Sequence, residues 1–158
     1  MALQIDKMRQ MWREKDIINP SPELSEKLLS FRLNSGLMMP EDLVEYFTLL
    51  DNFSDKMDSN LYQFYGMDEF KSIDKELAHW GGIPDYRNIV NTLKQCENCF
   101  VIADYMLSLF AYAIRLYPEE TEVNEIYIIC GDKNKVIANS LSEFLDLYFD
   151  DSIELQFT

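Results

Sequence analysis

The spacing of apolar side chains along this chain changes period near its middle. In residues 2–16, Leu3, Met8, Met11 and Trp12 fall on one side of a helix. A second helix is predicted after it. Ser21 caps this helix, Pro22 suits its first position, Leu24, Leu28 and Phe31 form its stripe, and Asn34, Ser35 and Gly36 close it. Pro40 opens a third, in which Glu41 and Asp42 complement the positive helix start and Leu43, Phe47 and Leu50 share a face. "NLYQFYG" predicts a short strand ending at Gly66. In "MDEFKSIDKELAHW", Phe70, Ile73, Leu77 and Trp80 recur at helical spacing, so one helix is expected, stopped by Gly81, Gly82 and Pro84. A short helical piece is expected from Ile89 to Leu93.

From Cys99 onward the period is two. The most apolar stretch is "CFVIADYMLSLFAYAIRL", residues 99–116. Phe100 to Tyr105 reads as a strand. Beyond it Phe110, Tyr112, Ile114 and Leu116 alternate with Ala111, Ala113 and Arg115, which gives a large apolar side and a small-residue side. Two strands joined across Asp104 to Ser108 explain this stretch. A membrane helix does not, because Asp104 and Arg115 interrupt it and a charge at a helix centre costs roughly 2.5–3.5 kcal/mol. "VNEIYII" and "KVIA" predict two more strands, linked by the turn-rich "CGDKN". In "NSLSEFLDLYFDD", Ser140 and Glu143 make a capping-box pattern, and Leu141, Phe144, Leu145 and Tyr148 make an apolar face. The expected fold class is α+β, an antiparallel meander sheet covered by helices from both termini. Residues 1–20 are expected to be an N-terminal helical extension and 21–158 a single domain, with no internal repeat or dividing linker.

Charge narrows the function. The net charge is −14; residues 1–37 carry six basic and five acidic side chains, which leaves −15 on residues 38–158. A field of that sign repels nucleic acid and anionic lipid and favours a basic protein partner. The three cysteines are an odd count, and Asp6, Arg9, Arg13 and Glu14 leave no apolar secretory segment at the start. A reducing cytoplasm fits these features.

Several residues carry candidate chemistry. Asp104 is either a carboxylate with a raised pKa in a dry sheet or an acceptor for turn amides; with no acid, histidine or nucleophile beside it in sequence, the turn role is expected. "CENC", with Cys96 and Cys99, has redox spacing but precedes a strand, so the helix dipole that lowers a thiol pKa is missing. Cys96, Cys99, Cys130 and His79 are the right types for zinc, but Cys130 and His79 lack ligand spacing, and no metal or other cofactor is expected. "DNFSDKMDSN" has oxygen ligands but lacks the central glycine and closing glutamate of an EF-hand. With one histidine and no Gly-x-Ser-x-Gly or phosphate-loop pattern, no enzyme is expected. Acidic residues cluster as Asp51-Asp55-Asp58, Glu119-Glu120-Glu122-Glu125 and Asp146-Asp150-Asp151-Glu154. Each alone reads as a solvated face. If the second and third meet at one rim of the sheet, a cationic partner is the natural reading, with Tyr62, Tyr65, Tyr117 and Tyr148 as candidate aromatic anchors unless they are buried.

The proline-initiated "MPEDLVEYFTLLDN", preceded by a helix and "NSG", resembles the "LPxDLxxFYxxxNG" element of the SUKH superfamily, the Smi/Knr-type fold. "FVIADYMLSLFAYAI" resembles its paired central strands and "VIANSLSEFLDLYF" its closing strand and helix, in the same order, over about residues 21–150. Phe53 follows Asn52 where the family usually has glycine, residues 79–98 have no counterpart, and residues 1–20 resemble an added helix. The resemblance implies a non-enzymatic domain, in bacteria often an immunity protein that neutralises a toxin, commonly a nuclease. A nuclease site is positive because it accepts phosphates, and a compact anionic protein can be steered to it and occlude it. Glu119, Glu120, Glu122, Asp146, Asp150 and Asp151 are the expected contacts. The chain is expected to act as a monomer or weak dimer. The competing expectation is a regulatory or scaffold module that recruits a protein without inhibiting it.

Overall fold

A computed structural model describes residues 2–14, 19–51, 62–82, 84–106, 108–150 and 155–156. The chain runs through α1 (Ala2–Arg13), α2 (Pro22–Ser35), α3 (Glu41–Leu50), β1 (Tyr62–Phe64), α4 (Ile73–Glu76), α5 (Ile89–Thr92), β2 (Cys99–Tyr105), β3 (Phe110–Arg115), β4 (Ile126–Cys130), β5 (Lys133–Ala138) and α6 (Leu141–Phe149). The five strands form one antiparallel sheet in the order β1-β2-β3-β4-β5, a meander without crossovers. The fold is α+β.

The end signals of α2 and α6 work as their sequences predict. Ser21 Oγ accepts from the Leu24 amide at 3.1 Å, and Gly36 closes α2 in the left-handed region at φ 72°. Ser140 Oγ accepts from the Glu143 amide at 3.1 Å, while the Glu143 carboxylate receives the Asn139 amide at 3.4 Å.

The sheet is buried on both faces. On one side Phe100, Ile102, Tyr112, Ile114, Ile126 and Ile128 pack under α1, α2, α3 and α6 in the main core. Met8 and Trp12 of α1 are buried in that same core, at 3% and 5% exposure. On the other side Cys99, Val101, Ala111, Ala113, Tyr127 and Ile129 pack under Ile73, Leu77, Tyr86, Ile89 and Leu93. The small-residue side of β3 is what admits this second layer, because Ala111 and Ala113 add little height above the sheet. Trp80, Tyr86, Ile89, Leu93 and Cys96 thus place the described part of residues 79–98 in the layer that covers the second face.

The single helix expected across residues 67–80 is not formed. A 3-10 turn at Met67–Glu69, extended backbone at Phe70, the short α4 and a second 3-10 turn at Leu77–His79 replace it. The cause lies elsewhere in the chain. β1 pairs only with Ala103, Asp104 and Tyr105 of β2. The first half of β2 therefore needs another backbone partner. The Val101 amide donates to Lys71 O at 3.0 Å, and Ser72 bridges Phe100. Satisfying a buried strand outranks the helical spacing of four apolar side chains. A register shift between Val101 and Ala103 puts Ile102 and Ala103 in the same core, and Ile102 O accepts from both the Tyr65 amide at 2.8 Å and Tyr46 Oη at 3.0 Å.

Candidate functional site: an acidic cleft

The connection between β3 and β4, residues 116–125, is fastened at several points. Met38 N donates to Tyr117 O at 2.7 Å, which brings the start of α3 beside the loop. Buried Asn124 donates Nδ2 to Arg115 O at 3.1 Å and its amide to Asn139 O at 2.8 Å. Tyr117 Oη donates to both oxygens of Glu125, at 2.7 and 2.9 Å. Burial, together with that carboxylate, pushes the Tyr117 phenol up to about 12.

Between these fastenings lies a cleft of about 380 Å³. Its lining carries the carboxylates of Glu41, Asp42, Glu119, Glu120 and Glu122, and no lysine or arginine. Met38 and Met39 supply an apolar wall. Glu119, Glu120 and Glu122 are exposed at the rim. Asp42 is fixed: its Oδ2 accepts from the Ser142 amide at 2.9 Å and from Ser142 Oγ at 3.0 Å. Five carboxylates within one concavity concentrate negative potential, and the thioethers suit the aliphatic stems of lysine or arginine.

The structure divides the residues that the sequence nominates. Glu119, Glu120 and Glu122 come together, and their neighbours are Glu41 and Asp42 rather than the aspartates of the last helix. Asp146 is exposed one turn beyond Ser142 on α6, and Asp150 caps the far end. A helix rises 1.5 Å per residue, so Asp150 stands roughly 12 Å from Ser142. Arg13 Nη2 donates to Asp150 Oδ1 at 2.6 Å, an exposed ion pair that neutralises it. Asp151, Asp55, Asp58 and Glu154 lie outside the described residues. Tyr62, Tyr65 and Tyr148 are buried, and half-buried Tyr117 is engaged by Glu125, so none of the four is an open anchor. Glu41 and Asp42 are the additions. Their positions in the first turn of α3 have a sufficient local explanation in the helix dipole, and this conceals their place in the cleft.

The other candidate chemistry resolves into structure. Buried Asp104 accepts from Tyr65 Oη at 2.7 Å and from the Ser108 amide. Burial pushes its carboxyl upward, and those two hydrogen bonds hold the rise back. It anchors the β2–β3 turn, where Met106 and Ser108 have positive φ. Cys96 and Cys99 are buried in the second core; burial raises both thiols, Cys99 to about 12. His79 is exposed at the end of its 3-10 turn. Among the described residues no three His, Cys, Asp or Glu side chains converge as metal ligands, and no helix is long and apolar enough to cross a membrane.

Comparison of the chain with protein-family models, with curated proteins and with solved structures gives no match.

Proposed function

We propose that this chain is a non-enzymatic, SUKH-type protein-binding domain acting in the cytoplasm as an immunity protein, and that it neutralises a cognate nuclease-type toxin. The observation that carries this reading is the acidic cleft, in which five carboxylates meet no lysine or arginine. A volume of about 380 Å³ suits one or two long basic side chains, with their stems against Met38 and Met39 and their charges among the carboxylates. The exposed glutamates steer the partner's approach, and the charges deeper in the cleft slow its departure. Asp146 extends the negative surface along α6, whereas Asp150 contributes little while paired with Arg13.

The test is co-expression with the toxin domain encoded beside this gene, combined with measured affinity. Glu119→Lys, Glu120→Lys and Glu122→Lys together should abolish protection and lower affinity at least a hundredfold, since close charge pairs at interfaces couple by about 1.5–7 kcal/mol. The association rate of the unaltered protein should fall steeply with salt. Unchanged affinity in the triple variant, or tight binding without protection, overturns the reading; the second outcome leaves a scaffold that recruits without inhibiting.

A further inference from the structure

Cys96 and Cys99 stand at the two ends of one tight turn. The 3-10 turn Cys96–Asn98 leads straight into β2, and the Cys99 amide donates to Cys96 O. In such a turn side chains three residues apart eclipse, and a rise of about 2.0 Å per residue sets their Cα atoms roughly 6 Å apart. Disulfides span Cα separations of about 4.4–6.8 Å. Both residues are free thiols, 6% and 0% exposed, in the single core on the second face of the sheet. Cys130 packs against the main core on the other face, so the sheet separates it from the pair.

The turn carries strain at its entry and a load at its exit. Gln95 precedes it at φ 53°, and Arg115 donates to the carbonyls of Lys94 and Gln95. A short turn entered through a strained residue opens more readily than the strand it leads into, which admits a small thiol reagent to Cys96. Asn98 O, between the two cysteines, accepts the Leu116 amide at 2.8 Å. Cys99 lies opposite Arg115 in the sheet, and Arg115 O accepts Asn124 Nδ2. The turn therefore holds the start of the 116–125 loop.

We propose that Cys96 and Cys99 form a reversible disulfide by exchange with a low-molecular-weight disulfide, and that its closure stiffens the anchor of the 116–125 loop. The Cys96 thiolate attacks one sulfur of the reagent, whose S–S bond breaks, and the first reagent thiol leaves with the Cys96 proton. Cys99 then attacks the Cys96 sulfur and expels the second reagent thiol with its own proton. Two protein thiols are oxidised to one disulfide, and one reagent disulfide is reduced to two thiols. Burial raises both protein thiols, so thiolate is scarce at neutral pH and the exchange is slow. That suits a lasting change of state rather than a turnover step. The proposal is independent of what the acidic cleft binds.

The experiment equilibrates the full chain with reduced and oxidised glutathione at set ratios, then quenches with acid, alkylates, and cuts after lysine and arginine. Cys96 and Cys99 fall in one peptide, residues 95–115, and Cys130 in another, residues 116–133. In oxidising buffer the first peptide should become two hydrogens lighter and escape alkylation. The Cys130 peptide should stay alkylated, and dithiothreitol should restore the reduced mass. Cys99→Ala should stop at a glutathione adduct on Cys96. Hydrogen exchange at the Leu116 amide should slow about tenfold in the oxidised chain. No lighter peptide at any ratio, adducts that never close in the unaltered chain, closure only when urea is added, or unchanged exchange at Leu116 overturns the proposal.

Discussion

Asp42 closes the start of a helix that lies 100 residues away in sequence. Its Oδ2 takes the Ser142 amide at 2.9 Å and Ser142 Oγ at 3.0 Å, beside the cap that Ser140 provides. A carboxylate at a helix N-terminus satisfies an otherwise orphaned amide and favours the dipole. Asp42→Ala is therefore expected to lower unfolding free energy by about 1–2 kcal/mol. Ser142→Ala leaves the backbone amide in place and should cost less. Urea denaturation of the two single variants and the double variant checks this, and the pair should show a clear coupling energy.

Asp104 makes stability depend on pH in the opposite sense from a salt-bridged aspartate. Burial raises its folded pKa above the ordinary 3.8. The native state therefore holds this proton to higher pH than the unfolded state does. Stability from this group is fullest below 3.8 and is lost as pH rises toward the folded pKa. Asp104→Asn removes the titration while keeping an acceptor for Tyr65. The stability of the unaltered protein relative to Asp104→Asn should fall as pH rises through this window and level off above it. Urea midpoints measured across pH for both proteins read the slope; a rising difference would contradict the burial argument.

Arg115 holds a strained turn closed. It is buried on β3 and donates Nη2 to Lys94 O at 2.8 Å, Nη1 to Gln95 O at 3.4 Å and Nε to Tyr127 Oη at 3.1 Å, with its guanidinium 5.4 Å from the Tyr127 ring centroid. Gln95 sits at φ 53°, where a side chain costs roughly 1–2 kcal/mol. Arg115→Lys keeps the charge and loses the planar fork, so a loss of about 2 kcal/mol is expected. Gln95→Gly should gain about 0.5–1 kcal/mol by relieving the strain. Thermal and urea unfolding distinguish these opposite signs, and hydrogen exchange at Leu116, whose amide donates to Asn98 O, should accelerate in Arg115→Lys.

The first helix is part of the main core. Trp12 at 5% exposure packs there with Met8, and Phe149 has the Arg9 and Arg13 guanidinium groups 5.7 and 5.8 Å from its ring centroid. Trp12→Ala should cost about 3–5 kcal/mol. Arg13→Gln removes an exposed pair and should cost less than about 1 kcal/mol. Calorimetry of both variants separates a packed element from a loosely attached one.

Side-chain spacing carried much of this fold in readable form. The alternation of Phe110, Tyr112 and Ile114 with Ala111 and Ala113 announces β3 and its two unlike faces, and Ser21, Pro22 and Gly36 announce the ends of α2. These signals are local, and local energetics decide them. The helix expected over residues 67–80 fails for a non-local reason, since its backbone is drawn to Val101 by a strand that β1 leaves half unpaired. The acidic cleft was half readable. Glu119, Glu120 and Glu122 are neighbours in sequence, whereas Glu41 and Asp42 join them only because Met38 pairs with Tyr117.

The strand order sets the sequence of assembly. β2, β3, β4 and β5 follow one another through residues 106–109, 116–125 and 131–132, so each pairs with its sequence neighbour and even the longest of these loops is far shorter than the segment between β1 and β2. β1 reaches β2 only across the long segment that becomes the second layer, and that closure is entropically dearer. The meander should therefore form the folding nucleus, and Ile73, Leu77 and Ile89 should settle on Ala111 and Ala113 late. In kinetic terms, truncations at those three positions should mainly speed unfolding, with φ-values below about 0.3, while Tyr112 and Ile128 should slow folding.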